Sequence, residues 1–370
     1  MRSTRSYSLF AALALGAFAT EVFAQVGSMI YWRQSTVEPN PSTHFRVVGS
    51  GGISFQFHTF PSQTNSPSSL DIYPGGRQLF WDAPGHPVFD IIPGTNRVNH
   101  VPILVSENVV LDYSPWLALF LGPEFIDSSD PLWSNDNADT FMSFQAFDTG
   151  TFGRILYRYN GPIADFFGPD FDPRPTNPFW FPFFSGDPFF GPDPRLDVVT
   201  TYDADTFATC WNGAGTKVIL QSPSAAGFIT KIHNTTTGLT TVVNDPAVTG
   251  FRLIDPVFSP TADIIYTNAR NNAGVRGIAS FNPATGALTW LKVEGGTGIS
   301  RIAGFRGPRV SPNGLSLTFT MLQVPTRGPD RGKLCPSLVT MPITGGRHTV
   351  IAVRGPSLTN PYEPTGWVLP

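Results

Sequence analysis

Charge is scarce in this chain. Lysine and arginine number 24 and aspartate and glutamate 27 among 370 residues, which leaves a net charge of only −3. No basic stripe or patch stands out, so DNA and RNA are excluded as expected partners. Cysteine is rarer still, with two residues, Cys210 and Cys335. A disulfide framework is therefore excluded, and at most one bridge is possible. Beyond the N-terminus no apolar run approaches the ~20 residues that a membrane helix needs. No helical stripe emerges there either. The serine-hydrolase elbow Gly-x-Ser-x-Gly is missing. So are the zinc helix His-Glu-x-x-His and the EF-hand calcium loop.

Punctuation is plentiful instead. Glycine and proline each number 36, which fits many short strands and turns better than long helices. The unit the chain is built from is clearest over 307–350. There Ser311-Pro-Asn-Gly314 makes a turn, and Leu315 to Met321 alternates apolar and polar like a half-buried strand. Ser337 to Met341, the Gly345-Gly346 turn and His348 to Ile351 follow. With an entry strand before Ser311, this makes four short antiparallel strands, one propeller blade.

Copies of the unit lie upstream. They open at Asp255-Pro256, at Thr209-Cys-Trp-Asn212, at Asp130-Pro131 and, more weakly, at Asp71. Ser259 and Ser311 stand 52 residues apart, and Asn212 and Ser259 stand 47 apart. A four-stranded blade needs about 40–50 residues, so the spacing fits. Tyr362 to Trp367 reads as the first strand of a further blade, with Met29 to Trp32 and His44 to Val48 as its remaining strands. A blade shared by the two ends would close the ring and remove two open sheet edges. The expected fold is all-β, a propeller of six four-stranded blades latched by its termini.

Residues 1–24 read as an export signal. Arg2 and Arg5 precede an apolar run from Leu9 to Ala19, and Val22-Phe-Ala24 prepares cleavage before Gln25. The alternative, a membrane anchor, would need a longer run. A single domain over 25–370, secreted or periplasmic, is the expectation. Within it, about 160–196 is a Phe- and Pro-rich insertion. Its prolines forbid a helix or central strand, and its aromatics are atypical of a disordered linker. Either its rings pack over the blade rim or they form an adhesive loop. The two cysteines fall on different strands two blades apart, which favours two buried thiols over a bridge.

The segments Phe258-Ser-Pro260, Trp133-Ser134 and Val310-Ser-Pro-Asn-Gly314 resemble the TolB-like propeller repeat, whose pattern is aromatic-Ser-Pro-Asp-Gly. The resemblance runs from about Asp130 to Trp367, apart from the insertion. Its Asp is replaced by Thr261, Asn313 and Gly75. The helical N-terminal domain of TolB has no counterpart, which argues against the Tol-Pal envelope role. Similar repeats accompany prolyl oligopeptidase-type hydrolases, but no stretch is left over for such a catalytic domain.

Chemistry-bearing residues are sparse. The six histidines are His44, His58, His86, His100, His233 and His348; none has metal-site spacing, and no metal or cofactor is expected. Asp127 to Asp139 and Asp203-Ala-Asp205 read as turn formers rather than calcium ligands. An acid precedes proline at the start of an innermost strand in Asp130, Asp255 and Glu363, with Arg306 and Arg309 in the remaining blade. These five form a candidate polar ring at the channel mouth, though Asp-Pro also simply makes turns. Arg327, Arg331 and Lys333, on a loop between second and third strands, are candidates for docking an anionic group.

The leading expectation is an exported, non-enzymatic propeller that binds a protein or glycan through one face. The alternatives are a propeller carbohydrate lyase or hydrolase with axial acids or a metal, and an inert envelope protein anchored by the aromatic insertion. Fold alone does not choose between them.

Overall fold

The computed structural model describes residues 196–353 continuously except position 312, and elsewhere the strands alone. The signal segment 1–24 and the insertion 160–195 lie outside the described residues.

The described residues form six four-stranded antiparallel sheets. Blade 1 is β4 (Leu70–Ile72), β5 (Arg77–Phe80), β6 (Pro87–Ile91) and β7 (Val98–Leu104). Blade 2 is β8 (Phe125–Trp133), β9 (Met142–Asp148), β10 (Gly153–Tyr159) and β11 (Leu196–Asp203). Blade 3 is β12 (Phe207–Trp211), β13 (Lys217–Ser224), β14 (Gly227–Asn234) and β15 (Leu239–Asn244). Blade 4 is β16 (Phe251–Phe258), β17 (Ile265–Asn271), β18 (Arg276–Asn282) and β19 (Ala287–Val293). Blade 5 is β20 (Ile302–Val310), β21 (Ser316–Gln323), β22 (Cys335–Pro342) and β23 (Thr349–Val353).

Blade 6 joins the two ends. Its order is β24 (Tyr362–Val368), β1 (Ser28–Ser35), β2 (Ser42–Val48) and β3 (Ser54–Phe60). The C-terminal strand is innermost and pairs with the N-terminal one, Ser28 opposite Val368 and Met29 opposite Trp367. Each innermost strand also touches the next: β4 to β8, β8 to β12, β12 to β16, β16 to β20, β20 to β24 and β24 to β4. These contacts return to their start, so the sheets form a closed ring, as the repeat and the terminal strands predicted.

The core lies between blades. Leu156 of blade 2 packs on Trp211, Val218 and Leu220 of blade 3. Ile219 and Ile232 of blade 3 pack on Leu253, Phe258, Ile265 and Phe281 of blade 4. Tyr266 and Ile278 of blade 4 pack on Phe305, Leu317, Phe319 and Met321 of blade 5. Each large side chain buried this way contributes roughly 1.5–3 kcal/mol. The alternation in β21 led to the expectation of a half-buried strand. Instead Thr318 and Thr320 are as buried as Leu317 and Phe319, because a middle strand is covered by a neighbouring blade on each face.

Polar bonds repeat across the seams. Trp211 Nε1 donates to Ser143 Oγ at 2.7 Å. Gln221 Nε2 donates to the Leu253 carbonyl at 3.1 Å. Asn268, at the equivalent place one blade on, donates through Nδ2 to the Phe305 carbonyl at 2.7 Å. Asp263 of blade 4 receives Asn212 Nδ2 at 2.9 Å and pairs with Lys217, both of blade 3. Neither cysteine is in a disulfide; Cys335 is buried and Cys210 half-buried, on β22 and β12 of blades 5 and 3.

Candidate binding face and central channel

Antiparallel order gives the ring two different faces. Innermost strands start on one face, here called the entry face, and end on the exit face. Connections from a blade's fourth strand to the next blade's first therefore lie at the entry face, with the loops between second and third strands. The exit face carries tight turns, such as the one closed by Gly314 N donating to the Ser311 carbonyl at 2.8 Å. The entry face carries 245–250, with the short helix α1 (Pro246–Thr249). It also carries 294–301, with positive-φ glycines at 295, 296 and 298, and the long loop 324–334. The attachment points of the insertion, Tyr159 and Leu196, are paired at the exit face.

Asp255 was expected at the start of its strand and lies instead in the middle of β16. The strand begins at Phe251, and its register breaks between Ile254 and Val257. Asp255 is exposed there, with φ of 50°. A bulge on an innermost, edge strand tolerates proline because no ladder donor is required of it. Beside the break the backbone of Ile254 is met by Thr267: its hydroxyl accepts from Ile254 N at 3.0 Å and donates to Ile254 O at 2.8 Å.

The other blades repeat the device. The register of β8 breaks between Ser129 and Leu132, around Asp130. That of β24 breaks one residue past Pro364, close to Glu363. In β20 it breaks between Arg306 and Arg309, with Gly307 at φ 53° where blade 4 has Asp255. The three acids thus sit at or beside bulges on the innermost strands of blades 2, 4 and 6, alternate positions around the ring. The side chains of Asp130 and Glu363 lie outside the described residues. Most of the Asp127 to Asp139 stretch, read as a turn former, begins as strand β8. Its hydroxyl-rich run hid the strand.

Arg306 is exposed beside Gly307. Arg309 is half-buried, and its Nη1 donates to the Pro308 carbonyl at 3.0 Å. On loop 324–334, Arg327, Arg331 and Lys333 are exposed. Lys333 Nζ meets Asp330 Oδ1 at 3.3 Å, whereas Arg327 and Arg331 have no carboxylate partner among the described residues. Gly332 N donates to the Pro325 carbonyl at 3.4 Å, drawing the loop together. Among the described residues no three His, Cys, Asp or Glu gather at metal-ligand distance.

No protein-family model and no curated protein matches the chain. Solved structures resemble it at low identity. A TolB-type protein of Agrobacterium tumefaciens aligns with TM-score 0.49 and 11% identity, over 91% of this chain and 98% of that one. TolB of Acinetobacter baumannii aligns with TM-score 0.32 and 10% identity, over 92% and 83%. A 6-phosphogluconolactonase-type protein of Bacteroides fragilis aligns with TM-score 0.37 and 13% identity, over 93% and 98%. The class of this protein, a closed six-bladed propeller, follows from its own strand pairing.

Proposed function

We propose that the chain is an exported, non-enzymatic propeller that binds a protein or glycan partner through its entry face. The observation that carries the reading is the difference between the two faces. In blades 3 to 5 the described exit-face connections are tight turns, locked across seams as in Lys217 with Asp263. The entry face carries the longest fully described loop, with Arg327 and Arg331 exposed and without carboxylate partners. Rigid blades that present variable loops are a common way to build a recognition surface. Unpaired guanidinium groups select acidic partners, since they bind carboxylate and sulfate through two parallel hydrogen bonds.

Calorimetric titration of the purified protein tests this, with sulfated and uronate oligosaccharides and acidic peptides as probes. Arg327→Glu with Arg331→Glu should weaken the best probe at least about tenfold, a loss of ~1.4 kcal/mol. Thr285→Glu, on an exit-face turn, should leave it unchanged, and the recovered probe should be uncleaved. Equal binding by the entry-face variant, or cleavage of the glycan, contradicts the reading.

A further inference from the structure

Strand register sets three arginines side by side in blade 4. Arg252 stands directly opposite Arg270 across β16 and β17, and Arg270 directly opposite Arg276 across β17 and β18. They are dispersed in the sequence, so no basic run announces them. Residues directly opposite on antiparallel strands share a face of the sheet, with Cβ atoms about 4.5–5.5 Å apart. All three are exposed. They lie at the entry face, where β16 and β18 begin and β17 ends. Loop 324–334 is the equivalent connection of the next blade, on the same face.

Neighbouring structure fixes the row. The β17–β18 turn is closed by Asn271 N donating to the Val275 carbonyl at 3.0 Å and by Val275 N donating to Asn271 Oδ1 at 2.9 Å. Asn272 N donates to the Gly250 carbonyl at 2.8 Å, which ties that turn to the start of β16. The stem of Arg252 lies over Gly227 of blade 3, where an added Cβ would stand 2.9 Å from its Cδ. Like charges directly opposite destabilise a sheet, and no described carboxylate pairs with these three. The ion pairs of the described residues involve Arg158, Lys217 and Lys333. The acids of the adjoining connections are engaged elsewhere. Asp245 Oδ1 accepts from Ala247 N at 2.9 Å. Glu294, whose N–H donates to the Arg276 carbonyl at 2.8 Å, turns its Oε1 to Gly304 N at 2.7 Å. An anion that bridges guanidinium groups through paired hydrogen bonds would remove the repulsion.

We propose that this arginine row binds a linear polyanionic glycan, one that carries a sulfate or carboxylate on each sugar. Neighbouring strands lie about 4.8 Å apart, close to the length of one sugar unit, so successive arginines meet successive acids. Residues 268–276 contain no aromatic side chain to anchor a protein partner or stack a nucleobase. The inference rests on the entry-face reading for the direction of approach. It narrows the partner to one class and adds a binding element outside loop 324–334.

Fluorescence anisotropy tests the row, with a labelled chondroitin sulfate octasaccharide titrated by the full chain. Arg252→Gln, Arg270→Gln and Arg276→Gln together should weaken binding at least about tenfold. The melting temperature should stay the same or rise, because opposed like charges are gone. Thr236→Glu, Ala284→Glu and Thr285→Glu, on exit-face turns, lower the net charge by the same amount and should keep wild-type affinity. Unchanged binding by the glutamine variant overturns the proposal, and so does an equal loss in the exit-face control. A lower melting temperature of the glutamine variant overturns it too, since the arginines would then be paired within the fold. If Arg327→Glu with Arg331→Glu weakens binding and the glutamine variant does not, the row fails and the entry-face reading stands. The opposite pattern removes loop 324–334 from the reading and keeps the row. Equal or tighter binding of a polyglutamate peptide or a single-stranded DNA of matched charge overturns the choice of a glycan.

Discussion

Asn268 of blade 4 donates its side-chain amide to the backbone carbonyl of Phe305 in blade 5 at 2.7 Å. Gln221 does the same from blade 3 to Leu253 of blade 4. Apolar packing between blades is non-directional, whereas these bonds fix how one blade sits against the next. Each lands just before the bulge of an innermost strand, where the edge would otherwise leave a carbonyl unpaired.

Asn268→Leu keeps the volume and removes the donor. The Phe305 carbonyl is then stranded, and stability should fall by about 1–3 kcal/mol, read as a lower midpoint in urea unfolding. An unchanged midpoint would mean that water replaces the amide.

Gly213 tests the exit-face packing. Its φ is ordinary, yet a Cβ there would lie 1.7 Å from the Pro260 carbonyl oxygen of the next blade. Gly213→Ala should cost roughly 1–3 kcal/mol or more, since neither backbone can easily yield. Gly238, at φ 69° with open space around it, should lose only about 1 kcal/mol on change to alanine, from backbone conformation alone. The reverse order in thermal melts would contradict the seam.

Much of the ring was legible in the residues. The Ser-Pro turns after Phe258 and Val310 set the repeat, and the lone strand at Tyr362 announced the shared blade. Other elements were hidden by weak local signals: Asn99 and Pro102 interrupt the apolar pattern of β7, and β11 stands beyond the insertion. The candidate site was legible only in part. Asp-Pro looks like a turn wherever it occurs, and its place in a mid-strand bulge depends on the partner strand. The row of Arg252, Arg270 and Arg276 depends on how three strands register, which no local pattern encodes.

Asp255 holds a left-handed backbone that Gly307 holds at the matching place in blade 5. Asp255→Gly should therefore be neutral or stabilising by up to about 1 kcal/mol, whereas Asp255→Val should destabilise by about 1–2 kcal/mol. If the carboxylate serves a channel ligand, the glycine variant loses binding while keeping its melting temperature.

Acid should weaken the fold in two stages. His233 and His348 both have folded pKa values below 6.5, chiefly through burial. The unfolded chain then binds more protons, so this contribution is complete above about 6.5 and is lost as pH falls through the folded values. For Asp263, burial raises the pKa, but the bonds from Lys217 and Asn212 and the Lys217 charge outweigh it, leaving it below 3.8. Its contribution is present above about 3.8 and disappears as pH falls through the folded value. Melting temperature should decline first below about 6.5, less steeply in His348→Gln, and again below about 3.8, less steeply in Asp263→Asn.

Ring closure is tested most directly by a cross-link between the chain ends. In a Cys210→Ser, Cys335→Ser background, S28C and V368C stand at paired positions of β1 and β24. Mild oxidation should join them within one molecule, shift mobility on non-reducing gels and raise the melting temperature. Failure to cross-link under conditions that oxidise a control pair at Ser316 and Pro342, opposite each other on β21 and β22, would contradict the closed six-bladed ring.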